Sequence, residues 1–91
     1  MYELFETNEF QKSIDKLQKK DSTIIRKKLE TFVYPQLKEE PHFGANIKKL
    51  RDYSPETWRY RIGDYRVFYS LDEDEHIVLL LVVENRKDAY R

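Results

Sequence analysis

Large apolar residues and arginines alternate along residues 58–69, on both sides of the dipeptide Gly63-Asp64. Successive side chains of a strand point to opposite faces, so this period of two predicts strands at 57–62 and 65–71, each with an apolar face and a basic face. Gly63 accepts a positive φ without a steric clash and is predicted to turn the chain tightly between them. The pattern therefore predicts an antiparallel hairpin with arginines on one side.

Two segments with the spacing of amphipathic helices precede this hairpin. In the first, Thr7 or Asn8 can cap the helix, because a side-chain oxygen there accepts a hydrogen bond from an unpaired backbone N–H group. The apolar positions that follow are Phe10, Ile14 and Leu17. The apolar stripe of the second segment consists of Ile25, Leu29, Phe32 and Val33. Pro35 is predicted to kink or end the second helix, since proline has no N–H to donate.

The remaining pattern predicts a sheet that packs against these helices. A near-continuous apolar run at 76–83 is typical of a central strand buried on most of both sides. Residues 2–6 predict a short first strand, whereas 39–53 lacks periodicity and is interpreted as a loop. The order β-α-α-β-β-β predicts one α+β domain over residues 1–91, with two N-terminal helices packed on one face of a small, mostly antiparallel sheet. The opposite face is left open and carries the arginines.

Composition narrows the class of protein. The 91 residues are 40% hydrophobic and 37% charged, with a formal net charge of zero and no cysteine. The lack of cysteine excludes a disulfide framework, a thiol nucleophile and a zinc–thiolate site, and two histidines without ligand spacing predict no metal site. There is no signal-peptide pattern or membrane-length apolar run, so a cytoplasmic protein is expected. The charge is nevertheless uneven, because residues 48–66 hold six basic residues against three acidic ones.

The arginines of the hairpin are the first candidate functional residues. Arg59, Arg61 and Arg66 are predicted to share the open face, and guanidinium groups offer planar pairs of donors that match phosphate oxygens. The alternative is an ordinary solvated face, in which Arg61 or Arg66 forms ion pairs with Asp64 or Glu84. Periodicity alone leaves both interpretations open.

The C-terminal residues supply a second candidate group. Arg86 directly follows the last predicted strand, and Tyr90 can fold back over the arginines, where a tyrosine could stack on a base or exchange a proton. The alternative is a frayed, solvated tail. The chain has no glycine-rich phosphate loop, and its serines lack a histidine–carboxylate context. If this protein is an enzyme, it is expected to use arginine and tyrosine without a metal or other cofactor.

Three segments together resemble the RelE/ParE toxin superfamily. They are Leu-Arg-Asp-Tyr at 50–53, Trp-Arg-Tyr-Arg-Ile-Gly-Asp-Tyr-Arg-Val-Phe-Tyr at 58–69 and Glu-Asn-Arg-Lys-Asp-Ala-Tyr-Arg at 84–91. The resemblance implies the toxin of a type II toxin–antitoxin pair. RelE-like members are metal-independent endoribonucleases that cut mRNA in the ribosomal A site. In their reaction the ribose 2′-OH attacks the adjacent phosphate, which leaves a 2′,3′-cyclic phosphate and a 5′-hydroxyl.

The resemblance also implies roles for particular residues. Arg61 and Arg66 would hold the scissile phosphate, Arg86 would neutralise or protonate the leaving 5′-oxygen, and Tyr90 would stack on or deprotonate the nucleotide. The expected RNA-binding residues are Arg59, Lys48, Lys49, Arg51 and Lys87. The best-known RelE-type enzyme has lysines where this chain has arginines at 59 and 61. Because an arginine is a poor general base, the base would be Tyr90 or a substrate-bound water.

A second class within the superfamily is the main alternative. ParE-like members share the fold but inhibit DNA gyrase by binding it, without ribonuclease activity, and a degenerate, non-toxic copy is a third possibility. The joint presence of Arg66, Arg86 and Tyr90 favours the ribonuclease. The expected partners are a cognate antitoxin, acidic where it covers the arginines, together with mRNA and the ribosome.

Overall fold

The protein folds as a five-stranded sheet with its helices on one face. A computed structural model describes residues 1–85. The sheet order is β1-β5-β4-β3-β2. The strands are β1 (Glu3–Glu6), β2 (Ile47–Lys49), β3 (Thr57–Ile62), β4 (Tyr65–Asp72) and β5 (Ile77–Asn85). The helical segments are α1 (Asn8–Asp15), α2 (Lys19–Lys28), a π-helical turn (Leu29–Val33) and α3 (Tyr34–Glu39).

The sheet is mixed, with one parallel pair. β2, β3, β4 and β5 are antiparallel neighbours, whereas β1 runs parallel to the outer edge of β5, with Phe5 opposite Leu79. In the turn between β3 and β4, Gly63 has a φ of +54°, a value that disfavours residues with a Cβ. The predicted α+β class, with helices on one face of a mostly antiparallel sheet, is confirmed.

One hydrophobic core fills the space between helices and sheet. Its residues in β3 and β4 alternate as predicted. The strand residues of the core are Trp58, Tyr60, Ile62, Val67, Tyr69, Val78, Leu80 and Val83. The helices contribute Phe10, Ile14, Ile25, Leu29, Val33 and Leu37. The large Tyr69 ring is fully buried, and its hydroxyl donates to the carbonyl of Pro41 at 2.7 Å, so the polar tip of this core residue is satisfied.

A π-helical turn keeps the second helical stripe aligned. Its buried residues are Ile25, Leu29, Val33 and Leu37. They recur every four residues, a spacing that drifts around a regular helix of 3.6 residues per turn. The wider turn, in which the Tyr34 N–H bonds to the Leu29 carbonyl, offsets that drift just before Pro35. The helix therefore continues through Pro35, and the prediction that Phe32 is part of the buried stripe is wrong, because that ring is 64% exposed.

Two features of the sheet differ from the sequence prediction. β2 lies within the stretch interpreted as a loop, and β4, rather than the strand containing the apolar run, is central. β2 has only three residues and one apolar side chain, Ile47, which leaves too little pattern to detect. β5 has neighbours on both edges, but its burial alternates because the helices cover only one face.

β5 contains a β-bulge, which is stabilised by contacts from α1 and its N-terminal cap. The pairing of Phe68 with Val82 and of Tyr69 with Leu80 leaves Leu81 as an extra residue in β5. Thr7, which caps α1 by accepting from the Phe10 N–H, also donates to the Leu80 carbonyl at 2.7 Å. Bulges leave backbone groups outside the regular ladder, and contacts of this kind satisfy them. The Val83 N–H likewise bonds to the Ser13 hydroxyl at 2.9 Å.

A charged network ties β1 to the helices. The Glu6 carboxylate accepts from Arg26 at 2.9 and 3.0 Å and from the Tyr34 hydroxyl at 2.5 Å. Burial of Glu6 opposes its ionisation, but the hydrogen bonds from Tyr34 and Arg26 outweigh it and hold the pKa of Glu6 below its usual value. Burial and the bond to Glu6 raise the pKa of Tyr34, so its hydroxyl stays protonated and remains a donor.

Candidate nucleic-acid interface

Four basic residues share the face of the sheet that the helices leave open. Arg59 and Arg61 alternate with the buried residues of β3, and their cross-strand partners are Lys48 on β2 and Arg66 on β4. Residues directly opposite each other on neighbouring strands project from the same face. We call this group, Lys48, Arg59, Arg61 and Arg66, the basic cluster. Arg59, Arg61 and Arg66 therefore share the open face of the sheet, as the sequence predicts.

The ion pairs considered as an alternative for Arg61 are not formed. Arg61 is exposed and lies directly opposite Arg66, so two like charges face each other. Within residues 1–85, no carboxylate forms an ion pair with Lys48, Arg59 or Arg61. Glu84 is the cross-strand neighbour of Arg66 on β5. The cluster thus concentrates positive charge on a protein whose net charge is zero.

An aromatic ring lies inside the basic cluster. Phe68 is opposite Arg59, and the guanidinium carbon of Arg66 is 5.5 Å from the centre of its ring. A cation over an aromatic face at this distance is attracted by the ring electrons and keeps its orientation. Phe68 was not predicted as a site residue, although the alternation that places Arg66 on this face also places Phe68 there. An arginine cluster with an aromatic ring can bind both the phosphates and the bases of a nucleic acid.

Two other predicted RNA-binding residues lie apart from the cluster. Lys49 is next to Lys48 in sequence but projects from the opposite face, where it forms an ion pair with Glu56 and sits 5.5 Å from the ring centre of Trp58. Arg51 is exposed in the turn after β2. Lys49 is therefore on the opposite face from the basic cluster, and Arg51 lies outside the strands that carry it.

Lys49 borders a separate opening of about 610 Å³ at the far end of the sheet. His42 in its wall contacts the carboxylates of Glu40 at 2.8 Å and Glu73 at 3.2 Å. Partial burial opposes the charging of His42, but these two carboxylates outweigh it and raise its pKa. The contacts anchor the loop after α3 to the turn between β4 and β5.

The predicted C-terminal site residues Arg86, Lys87 and Tyr90 lie outside the described residues. β5 ends at Asn85, which is paired with Tyr65 at the start of β4. The last described residue is therefore at the same end of the sheet as Arg61 and Arg66. Among residues 1–85, no group of three or more histidine, aspartate or glutamate side chains is placed to hold a metal ion. None of the helices in this part of the chain is long and apolar enough to cross a membrane.

Solved structures with the same architecture are toxins. The chain is similar to the toxin–antitoxin complex RelBE2 from Mycobacterium tuberculosis, with a TM-score of 0.72 and 26% identity over 93% of this chain and 98% of that one. The isolated Escherichia coli RelE toxin matches with a TM-score of 0.67 and 24% identity, over 93% of this chain and 84% of that one. The RelB–RelE complex from Methanococcus jannaschii matches with a TM-score of 0.71 and 21% identity, over 94% of each chain. The fold is that of the RelE/ParE superfamily of toxins.

The sequence assigns the chain to a family within that class. The family described as ParE toxin of the type II toxin–antitoxin system, parDE, matches residues 5–90, and the chain belongs to this family. It is therefore a RelE/ParE-like toxin of a type II toxin–antitoxin system. Among curated protein sequences, none matches significantly.

Proposed function

We propose that this toxin is a metal-independent endoribonuclease that cleaves mRNA at the ribosome and so inhibits translation. The observation that carries the proposal is the pair Arg61 and Arg66, which face each other across the β3–β4 ladder on the open face of the sheet. Two guanidinium groups at neighbouring strand positions can bind the two non-bridging oxygens of one phosphodiester. Gyrase inhibition by binding alone does not need such a pair.

In the proposed reaction the 2′-oxygen of one nucleotide attacks the adjacent phosphorus. The new P–O2′ bond forms as the P–O5′ bond breaks, the 2′-hydroxyl proton passes to a base, and the leaving 5′-oxygen takes up a proton. Negative charge grows on the non-bridging oxygens in the transition state, where Arg61 and Arg66 stabilise it. Arg59 and Lys48 bind the neighbouring phosphates.

The proton transfers are assigned to residues beyond Asn85. On the strength of the sequence resemblance, Arg86 neutralises or protonates the 5′-oxygen, and Tyr90 or a substrate-bound water accepts the 2′-hydroxyl proton. Arg61 itself stays charged at physiological pH and stabilises charge rather than removing a proton. Lys87 is proposed as a further RNA contact.

A second candidate function is inhibition of DNA gyrase without RNA cleavage. The observation that favours it is the family match, since the family is that of the ParE toxin. Arginines at 59 and 61, in place of lysines, also suit binding better than proton transfer. The two functions predict different products and can be separated in one set of assays.

The test compares purified toxin with the Arg61→Ala variant on ribosomes programmed with a defined mRNA, and on gyrase in a supercoiling assay. We expect the toxin to cut the mRNA to a 2′,3′-cyclic phosphate end, and Arg61→Ala to reduce the rate by about 100-fold, as the loss of a transition-state donor does. Lys28→Ala is the matched control, because it removes one positive charge from the exposed side of α2. Intact mRNA together with inhibited supercoiling would replace the ribonuclease proposal by the gyrase one.

We also propose a cognate antitoxin as the physiological partner. The similar structures from Mycobacterium tuberculosis, Pyrococcus horikoshii and Methanococcus jannaschii are complexes of a RelE-type toxin with its antitoxin. In this protein an acidic antitoxin segment is proposed to cover the basic cluster, which would neutralise its charge and block access of RNA.

A further inference from the structure

A small opening lies beside the basic cluster on the same face of the sheet. Its volume is about 210 Å³. It is lined by Tyr53, Thr57, Phe68, Leu81, Val82 and Glu84. Pockets for drug-sized ligands have volumes of roughly 300–1,000 Å³, so this opening has room for one ring system rather than for a whole nucleotide.

The β-bulge forms the apolar floor of this opening. In a regular strand, consecutive residues point to opposite faces, yet Leu81 and Val82 both line the opening. The extra residue in β5 re-aims the side chains at this point, as bulges do. The hydrogen bonds from Thr7 and to Ser13 hold the bulge from the helix side. The floor is therefore a fixed part of the fold.

The position of the opening relative to the arginines fits a nucleobase. Phe68 lies directly opposite Arg59, and Arg66 is 5.5 Å from its ring centre. Neighbouring strands are about 4.8 Å apart, so a base stacked on Phe68 leaves its sugar and phosphate beside these two cations. Aromatic rings next to a basic groove are the usual platform for unpaired bases, and Tyr53 supplies a second ring at the rim.

We propose that this opening is a base pocket, which receives one unpaired base of the RNA and prefers bases that carry an exocyclic amine to uracil. The inference rests on the proposed ribonuclease function and adds a specificity site to it. The discriminating residue is Glu84, the one residue with a carboxylate among those that line the pocket. A carboxylate only accepts hydrogen bonds. The amines of cytosine, adenine and guanine can donate to it, whereas the O4 carbonyl of uracil presents a second acceptor and is repelled.

The sharpest test uses mRNAs that differ by one cytosine-to-uracil change, made at each position of the A-site codon in turn. Cytosine and uracil have the same ring size, and where cytosine carries its exocyclic amine, uracil carries the O4 carbonyl. Cleavage rates on programmed ribosomes are measured for the wild type, Glu84→Gln and Phe68→Leu. Glu75→Gln is the matched control, because it removes the same charge from the turn at the other end of β5.

At one codon position we expect the wild type to cut the cytosine-containing mRNA about tenfold faster, as the loss of one charge-assisted hydrogen bond implies. Glu84→Gln brings the ratio of the two rates close to one, because an amide offers both a donor and an acceptor. Phe68→Leu slows both mRNAs alike, since stacking does not distinguish them, and Glu75→Gln keeps the wild-type ratio.

Three results would overturn the inference, and they differ in what they say about the proposed function. If the wild type cleaves mRNA and Glu84→Gln leaves the ratio unchanged, the base pocket is refuted while the ribonuclease proposal stands. If the wild type cleaves no mRNA, both fail together. If Glu84→Gln and Phe68→Leu weaken only the binding of the antitoxin, the opening is a docking site for protein instead of RNA.

Discussion

Arg61 and Arg66 face each other across two strands, and like charges directly opposite in a sheet destabilise it. Arg61 has no carboxylate partner within residues 1–85 that could offset this repulsion. A bound phosphate would remove it, so the same arrangement that weakens the free protein strengthens its attraction for an anion. For this reason Arg61→Ala is expected to fold at least as stably as the wild type, and its loss of activity can be read as a loss of chemistry.

Glu6 provides a prediction about acid stability. Its pKa is lowered in the folded protein, because the bonds from Tyr34 and Arg26 outweigh the effect of burial. The ionised Glu6 therefore stabilises the fold at pH values above 4.5, the pKa of glutamate in the unfolded chain. This contribution is lost as the pH falls through the lower pKa of Glu6 in the folded protein. We expect Glu6→Gln to lower the free energy of unfolding by about 1.5–3 kcal/mol at pH 7, the worth of hydrogen bonds to a charged group.

The measurement is urea unfolding of both proteins between pH 7 and pH 3. The difference in stability should narrow steadily below pH 4.5, because the wild type then loses the charge that the variant never had. Glu39→Gln, at the exposed end of α3, is the control and should match the wild type throughout. A difference that stays constant with pH would mean that the network acts through packing alone.

At the scale of elements, the residues of the β3–β4 hairpin were predictable because each one follows the period of two. The three arginines of the basic cluster follow from the same alternation, whereas Lys48 joins them only through the pairing of β2 with β3, which the sequence does not predict. Lys49 was assigned by its neighbourhood in sequence, but consecutive strand residues point to opposite faces. The same alternation places Phe68 on this face, but an aromatic residue in a strand is more often part of a core, and the sequence prediction did not include Phe68 in the site.

Three other features could not be read from the sequence, because each depends on contacts with another element of the fold. The strand Ile47–Lys49 exists because β3 pairs with it. The bulge at Leu81 depends on the register between β4 and β5 and on contacts from α1. The π-helical turn is needed only because the residues around Leu29 must all face one sheet. The spacing along the sequence is that of a regular helix, and it wrongly includes Phe32 in the buried stripe.

The π-helical turn makes a direct prediction about Leu29 and Phe32. Leu29 is fully buried, so Leu29→Ala should cost about 2–5 kcal/mol of stability through lost burial and a cavity. Phe32 is 64% exposed, and Phe32→Ala should change the stability by no more than about 0.5 kcal/mol. The free energies of unfolding of the two variants are measured by urea unfolding. Comparable losses of stability would mean that Phe32 is part of the core and would rule out the wider turn.

At the scale of the whole molecule, the charge is balanced in number but separated in space. The chain has 17 lysines and arginines against 17 aspartates and glutamates, yet the open face of the sheet carries the basic cluster. The acidic residues 72–75 lie at the other end of β5, in and beside the turn that precedes it. A polarised surface steers charged partners to one place even when the net charge is zero. If the proposed RNA substrate and antitoxin bind this face, their affinities should therefore depend on its local charge.

This separation predicts how the proposed antitoxin binds. Arg59→Gln should weaken antitoxin affinity by about two- to fivefold, the effect of one partly exposed ion pair. The affinity should also depend less on ionic strength. Lys28→Gln removes the same charge from α2 and should leave the affinity and its dependence on ionic strength unchanged. Calorimetry or surface-based kinetics at two salt concentrations provides the measurement. Equal effects of the two variants would indicate that the antitoxin responds to net charge and does not cover the basic cluster.

The parallel pairing of β1 with β5 has a consequence for how the molecule assembles. β3, β4 and β5 can pair with neighbours in sequence, but residues 3–6 gain a partner only when residues 77–80 are in place. Pairing over such a separation is slow, because a long loop must close before any contact is gained. Until β1 docks, β5 presents an unpaired apolar edge of the kind by which separate chains aggregate. The four residues of β1 thus cover the apolar edge of β5. Self-association of the protein through that edge is most favoured during folding, before β1 docks.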